Sequence, residues 1–287
     1  MIILDLNQVM IASLMMQHSK NMELNEDLLR HMILNSIRYN KNHFQNDFGD
    51  EFIIACDDKN YWRKKYFPYY KASRKSNREK SGLDWNAIFT ILNKVRDELK
   101  EFFPYPTIQV ETAEADDVIA ALCKVNGRQL GGSAILILSG DKDFVQLQKY
   151  SNVSQYDPTR KKWIVNQEPN AYLIEHIVKG DTGDGIPNIL SEDDVFVAQG
   201  RQKPIRSKFL NEVLKSNNPE KCGLITGNVL RNFQRNKKLI DLEEIPDHIF
   251  NGILEEYENQ SDKGREHLFN YFIKHKLKNL TECIAQF

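Results

Sequence analysis

Short apolar runs and longer amphipathic stretches alternate along the first 180 residues. Ile2-Ile3-Leu4 is a brief apolar run. Phe52-Ile53-Ile54-Ala55-Cys56 and Ala134-Ile135-Leu136-Ile137-Leu138 are longer and have no polar interruption. A strand with one solvated face alternates apolar and polar residues, so uninterrupted runs predict strands buried on both faces. Ile108-Gln109-Val110 predicts a further short strand. Between these runs the apolar residues fall at helical spacing. Leu24, Leu28, Leu29, Met32, Ile33 and Ile37 form one such stripe, and Trp85, Ile88, Phe89, Leu92, Val95, Leu99 and Phe102 another. Asp84 stands where the second stripe needs an N-cap, and Pro104 and Pro106 stand where that helix must stop. A third helix is expected over 114–126.

Alternating β and α segments imply an α/β fold, a mainly parallel, doubly wound sheet with flanking helices. After Gly180 the strand signals stop, and 205–215, 222–238, 248–258 and 264–278 read as helices. The expected organisation is an α/β domain over 1–180 and a smaller helical C-terminal domain over 181–287. Residues 190–206 carry little periodicity and read as a mobile loop.

Composition changes this picture little. Apolar residues make up 41% of the chain, a share that excludes global disorder. No apolar run approaches the roughly 18 residues needed to span a membrane. The opening MIILDLNQVM lacks a basic leader and a small-residue cleavage site, so a cytoplasmic protein is expected. Cys56, Cys123, Cys222 and Cys283 are widely spaced with no C-x-x-C pair, which fits buried thiols better than zinc or disulfides. Basic and acidic residues number 39 and 40, so net charge says nothing about a polyanionic partner. Their distribution is uneven, and that does.

Ligands of an open parallel sheet sit at the carboxyl ends of its strands. Asp5 follows the run at 2–4, and Asp57 follows 52–56. Asp141 and Asp143 follow 134–138 after a Ser-Gly turn. Glu114, Asp116 and Asp117 open the helix after 108–110. Asp181 and Asp184, in Gly-Asp-Thr-Gly-Asp, can approach the same edge from the helical region. Any one of these could be a helix cap or an Asx-turn residue. Together they crowd one sheet edge, which is costly unless cations neutralise them. Oxygen-only ligands favour Mg²⁺, with Mn²⁺ able to substitute, and suit two-metal phosphoryl chemistry.

Residues 59–80, KNYWRKKYFPYYKASRKSNREK, hold nine Lys or Arg against one acid, Glu79, with aromatics interleaved. Basic side chains meet phosphates and aromatic faces stack on bases. The candidate contacts are Arg63, Lys64, Lys65, Tyr70, Lys71, Arg74, Lys75 and Arg78. The plainer possibility is a solvated basic helix with its aromatics packed beneath. Like charges at this density should keep 59–80 poorly ordered until a polyanion arrives.

Several fragments, in this order, resemble the 5′-nuclease superfamily of flap endonucleases and phage 5′-to-3′ exonucleases. They are HMILNSIRYN at 31–40, DDKNYWRKKYFPYYK at 57–71, EADD at 114–117, GDKDF at 140–144, KGDTGD at 179–184 and LIDLEEIPDHI at 239–249. The resemblance covers nearly the whole chain. It implies a metal pocket with Asp5, Asp57, Glu114, Asp116 and Asp141 around one Mg²⁺. Asp143, Asp181 and Asp184 would lie around a second, with Asp141 shared and Asp117 as support or cap. Residues 59–80 become an arch over that pocket, with Lys71 and Arg74 at the reacting phosphate. Relatives grip duplex through a glycine-rich turn after this point. Here LSEDDVFVAQGRQKP follows Gly185-Ile186-Pro187-Asn188 instead, and duplex contact falls to Arg201, Lys203, Arg206 and Lys208.

The implied activity is a two-metal 5′-to-3′ exonuclease, RNase H and flap endonuclease removing RNA primers and adjacent DNA during replication. Its nucleic-acid partners would be duplex DNA, RNA–DNA hybrid and 5′ flaps. A single-stranded-DNA-binding protein or a sliding clamp would be its protein partners, and the chain would act as a monomer. If of phage origin, it would work in the host cytoplasm. One alternative is a protein that binds branched nucleic acid without cutting. Another is an aspartyl phosphatase, but Asn7 stands where that chemistry wants a second Asp.

Overall fold

The computed structural model describes every residue except 20–22, 128–131 and 217. Its strands are β1 (Ile2–Asp5), β2 (Phe52–Ala55), β3 (Thr107–Ile108), β4 (Ile135–Leu138), β5 (Val153–Asp157) and β6 (Lys162–Ile164). They form one sheet in the order β3-β2-β1-β4-β5-β6, parallel except for β6, which returns antiparallel. β1 is central, with Ile2 opposite both Phe52 and Leu136. Strand order therefore reverses at the β1–β4 junction, where the chains diverge and leave a crevice.

The uninterrupted apolar runs are explained by the pleat, because both faces of the sheet are covered. Ile2, Leu4, Phe52, Ile54, Leu136 and Leu138 face one layer, built from α1 (Leu6–Ser19), α2 (Glu26–Phe48) and α5 (Trp85–Phe102). Ile3, Ile53, Ala55, Ile135 and Ile137 face the other, built from α6 (Ala115–Gly127) and the 3-10 helix Lys142–Lys149. Each such side chain, fully buried, contributes roughly 1.5–3 kcal/mol. α5 starts at the expected cap: Asp84 Oδ1 accepts from the backbone N–H of Asn86 at 3.1 Å and of Ala87 at 3.0 Å.

The basic stretch folds as α3 (Trp62–Tyr66), a turn, and α4 (Ser73–Lys80). Phe67 and Tyr70 join a third apolar cluster with α7 (Pro169–Lys179), α8 (Ser207–Leu214) and α9 (Gly227–Ile240). The helices beyond Gly180 do not gather into one body. Ile249 and Ile253 of α10 (Asp247–Asn259) pack into the α6 layer. Leu268, Tyr271 and Phe272 of α11 (Leu268–Lys274) and Leu280 of α12 (Lys278–Thr281) complete the α5 layer. The helix expected over 264–278 is broken at Lys276, whose φ is 54°. The stretch expected to be a mobile loop has no regular structure over 190–206 but is tied across its base. Asn188 Nδ2 donates to the Lys203 carbonyl at 2.8 Å, and the Lys203 N–H donates to Ser191 Oγ at 2.9 Å. Among the described residues, no helix is long and apolar enough to cross a membrane.

Candidate active site

Parallel strands deliver their acids to one edge. Asp5 ends β1 and is buried; its Oδ1 accepts from the Gln8 N–H at 3.2 Å and its Oδ2 from Ser139 Oγ at 2.9 Å. Asp57 lies two residues past β2; its Oδ1 accepts from the Ala115 N–H at 2.7 Å, and Asn7 donates to its Oδ2. Gln8 also accepts the Gly140 N–H at 2.7 Å. A Cβ on Gly140 would stand 2.6 Å from Asp157 Oδ2, so a side chain there would have to push the Asp157 carboxylate aside. Asp5, Asp57, Asp116 and Asp141 line one side of a cleft of about 1160 Å³.

These acids meet neutral donors, not cations. Among the described residues none of the four forms an ion pair within 4.0 Å. Burial, reinforced by the Asp57 charge, pushes Asp5 up to about 7. Burial and the neighbouring Asp141 push Asp116 well above the usual carboxylate range. Asp57 is raised as well, by burial first, with Glu114 adding to it and Lys71 opposing.

The basic stretch divides here. Arg63 is buried; its guanidinium donates to Asp117 at 2.8 and 3.0 Å, to Glu114 at 2.8 Å and to the Leu239 carbonyl at 2.9 Å. Tyr70 is buried as well, and its hydroxyl reaches Glu114 at 3.1 Å and Asp184 at 3.0 Å. The expectation that Arg63 contacts nucleic acid is therefore corrected, since it is buried against the protein's own carboxylates and lies outside the cleft lining; Tyr70 serves carboxylates as well, but it borders the cleft. The expectation of disorder fails for 61–71 on the same ground. Lys71 donates to Glu114 and lies 3.5 Å from Asp184. Glu114 is held below its ordinary pKa: burial would raise it, but Lys71 and Arg63 prevail. Arg74 pairs with Asp184 at 2.7 Å while staying half-exposed. Lys64, Lys65 and Arg78 border the cleft with Tyr61 and Phe89, and the Arg78 guanidinium lies 5.3 Å from the Phe89 ring centroid. α4 buries no residue, and Lys75 is exposed.

Asp143, Asp181 and Asp184 form a second group beside the first. The Asp143 N–H donates to Asp141 Oδ1 at 3.0 Å, which links the two. Gly180 has a φ of 68°, and a Cβ there would sit 2.4 Å from the Ile186 carbonyl oxygen. The turn it permits closes through reciprocal backbone bonds between Asp181 and Ile186, at 2.7 and 2.8 Å, and presents Asp181 and Asp184. His176, from the last turn of α7, stands between Asp143 and Asp181. Burial followed by the Asp141 charge pushes Asp143 up to about 7. The hydrogen bond from His176 lowers Asp181. His176 itself is raised, because its carboxylate partners outweigh burial.

The model of the 5′-3′ exonuclease N-terminal resolvase-like domain matches residues 2–176, and that of the T4 RNase H C-terminal region matches 168–287. The chain belongs to the 5′-3′ exonuclease and flap endonuclease family. It is 32% identical to the ribonuclease H of Enterobacteria phage T4 over 99% of this chain and 95% of that protein. It is 28% identical to a 5′-3′ exonuclease of Buchnera aphidicola over 48% of this chain and 47% of that protein. The fold resembles the zinc-bound T5 5′-exonuclease, with a TM-score of 0.63, 15% identity, and 92% of this chain and 98% of that chain covered. A bacteriophage T5 flap endonuclease in complex with DNA and metal ions gives a TM-score of 0.64, with 15% identity and coverage of 91% and 98%.

In this family member the eight expected acids fall into three surroundings. Asp5, Asp57, Asp116 and Asp141 face the cleft. Glu114 lies behind them, already bonded to Arg63, Tyr70 and Lys71. Asp143, Asp181 and Asp184 stand to one side around His176 and Arg74. Asp117 is wholly buried under Trp62 and Arg63, so it is a support, as one of the expected options had it. Arg201, Lys203, Arg206 and Lys208 are exposed and lie outside the cleft lining. Sequence reasoning missed Asn7, Gln8 and Ser139, which hold the strand-end acids, and Arg96, which lines the cleft from α5. It also missed His176. A lone His in the last turn of a helix reads as an ordinary C-terminal cation, favourable to the helix dipole.

Proposed function

We propose that this chain is a divalent-cation-dependent phosphodiesterase that cuts nucleic acid from 5′ ends. Its substrates would be the RNA of RNA–DNA hybrids, duplex DNA at nicks or gaps, and 5′ flaps, so that it clears RNA primers and adjacent DNA during replication. One observation carries this reading. Asp5, Asp57, Asp116 and Asp141, which have no ion-pair partner among the described residues, share the lining of one cleft with Lys64, Lys65, Arg78, Arg96, Tyr61 and Phe89. An acidic group alone would repel a polyanion, and a basic rim alone would only bind one. The two together want cations that the polyanion's phosphates can share.

The donor set fits such ions. It is oxygen-only at the strand ends, and burial with neighbouring carboxylates raises the pKa of Asp5, Asp57 and Asp116. Asp5, Asp57, Asp116 and Asp141 would hold one Mg²⁺ or Mn²⁺, with Glu114 behind them. Asp143, Asp181 and Asp184 would hold a second, with Asp141 shared. When bound, these ions supply Lewis acidity, lowering the pKa of water and offsetting negative charge on the phosphate. The chain's own residues do the rest. Gln8 and Ser139 fix Asp5, Asn7 and the Ala115 N–H fix Asp57, and Lys71 and Arg74 present cations to the reacting phosphate. Lys64, Lys65 and Arg78 draw in the backbone, Tyr61 and Phe89 offer faces to unstacked bases, and Lys75, Arg201, Lys203, Arg206 and Lys208 extend the contact along duplex. The near-full-length likeness to a ribonuclease H supports the hybrid substrate, and the fold of a DNA-bound flap endonuclease supports the flap. The setting would be a host cytoplasm, with the chain a monomer beside a single-stranded-DNA-binding protein or sliding clamp.

The test is cleavage of a 5′-flap duplex and a nicked hybrid by the variants Asp116→Asn and Asp141→Asn. Each should lose at least about a hundredfold in rate while substrate affinity stays within about threefold. Near-normal turnover by both in Mg²⁺ would overturn the assignment.

A further inference from the structure

His176 stands apart from the rest of the acidic site because it is the one imidazole in contact with it among the described residues. Its Nδ1 lies 3.3 Å from Asp143 Oδ1 and its Nε2 lies 3.2 Å from Asp181 Oδ2. One donor atom from each of the three residues lies within 4.8 Å of the others. Ligands held about 2.1 Å from one octahedral ion stand roughly 3.0 Å apart when adjacent and roughly 4.2 Å apart when opposite. Each ring nitrogen thus faces one carboxylate, and an ion bound through either nitrogen would be shared with the carboxylate on that side, with a donor atom of the third residue within 4.8 Å.

The backbone keeps it there. His176 is on α7, whose next two residues, Ile177 and Val178, are anchored in the third apolar cluster. Its ring meets the Tyr172 ring edge-on, 6.1 Å between centroids, one turn earlier. Asp181 is fixed from the opposite side, since its Oδ1 accepts the Asp184 N–H at 2.9 Å, which leaves Oδ2 toward the imidazole.

We propose that His176 supplies an imidazole nitrogen to the second cation locus, making it a mixed nitrogen–oxygen site that prefers a first-row transition ion over Mg²⁺. This rests on the reading of Asp143 and Asp181 as cation ligands. Carboxylate and water suit Mg²⁺, whereas imidazole draws ions further along the divalent series, such as Co²⁺ and Ni²⁺. The two loci then differ in kind. The strand-end group offers oxygen alone and suits Mg²⁺. The α7 group takes an ion with nitrogen affinity, and Mn²⁺ serves as its spectroscopic probe.

Pulsed electron paramagnetic resonance of Mn²⁺ added to the full chain, in excess Mg²⁺, tests this directly. We expect nitrogen modulation from a coordinated imidazole in the unaltered protein and its loss in His176→Gln. Co²⁺ affinity, measured by calorimetry, should fall about tenfold in His176→Gln while Mg²⁺ affinity changes less than about twofold. Mn²⁺ that binds in a manner lost in Asp143→Asn, yet shows no nitrogen modulation, would overturn the role of His176 and leave the acidic metal site standing. Modulation that survives His176→Gln would overturn it as well. Failure of Mn²⁺ to bind the unaltered protein, or binding indifferent to Asp143→Asn, would sink the cation reading of this group and the inference with it. The unaltered protein's spectrum decides the matter even if a variant folds poorly.

Discussion

Two sets of carboxylates a few residues apart are treated in opposite ways. Glu114, Asp117 and Asp184 are neutralised from within, by Arg63, Lys71 and Arg74. Among the described residues Asp5, Asp57, Asp116 and Asp141 receive only neutral donors or none, and burial pushes the carboxyls of Asp5, Asp57 and Asp116 up. Local sequence does not separate the sets, since Glu114, Asp116 and Asp117 lie within four residues. Helix geometry does. On α6, Asp117 turns inward beneath the basic segment and Asp116 turns outward to the cleft. Internal cations make a scaffold, and the acids left with neutral donors are the ones proposed above to hold the first external cation. One motif therefore carries both stability and chemistry, and substitutions in the two sets should act with opposite signs.

The largest effect should come from the neutralised set. Arg63→Met strands Asp117 and Glu114 in the interior, and urea denaturation should show a loss of about 3–5 kcal/mol. Adding Asp117→Asn should recover part of that loss. A loss under about 1 kcal/mol would mean the buried network is not what anchors the basic segment.

Asp5→Asn should go the other way. The Asp5 pKa is raised in the fold, so between its unfolded value of 3.8 and about 7 the folded state holds the extra proton. Stability contributed by this group therefore falls as pH rises through that window. In metal-free buffer at pH 8, Asp5→Asn should be more stable than the unaltered chain by roughly 2 kcal/mol, allowing for relaxation of the site. The advantage should vanish near pH 4. Adding Mg²⁺ at pH 8 should stabilise the unaltered chain and narrow the gap. A variant less stable at pH 8 would break the contrast between the two sets.

The smallest effect on the fold should come from the outer half of the basic segment. Replacing Lys75 and Arg78 by Ala should leave stability within about 0.5 kcal/mol, because α4 buries nothing. The slope of log affinity against log salt for a flap duplex should flatten by about 1.4 to 1.8, two contacts' worth. An unchanged slope would make Lys75 and Arg78 part of a solvated face and leave phosphate contact to Lys64, Lys65, Lys71 and Arg74.

The sheet edge was legible because period and position agree. β1, β2 and β4 announce themselves as unbroken apolar runs, and α5 carries its stripe, its cap and its terminating prolines. β5 and β6 were hidden. Val153-Ser154-Gln155-Tyr156-Asp157 carries polar residues on a strand that pairing with β4 stabilises, and β6 has three residues, two of them exposed. The burial of Arg63 and Tyr70 was hidden for another reason. A basic run reads as solvated, and the carboxylates that draw Arg63 inward are supplied from beyond residue 110. His176 was invisible because its meaning depends on two acids from different turns, and a single residue has no period.

The central position of β1 bears on the order of events during synthesis. β1 pairs with β4 as well as β2, so the sheet cannot close on that side until residues near 138 have emerged. Parallel pairings this far apart along the chain form slowly. Arg63 leaves the ribosome 54 residues before Asp117. At about 5–20 residues per second it waits roughly 3–11 s for its partner. During that interval the most basic segment of the nascent chain stands without its own acids, beside a ribosome made largely of RNA.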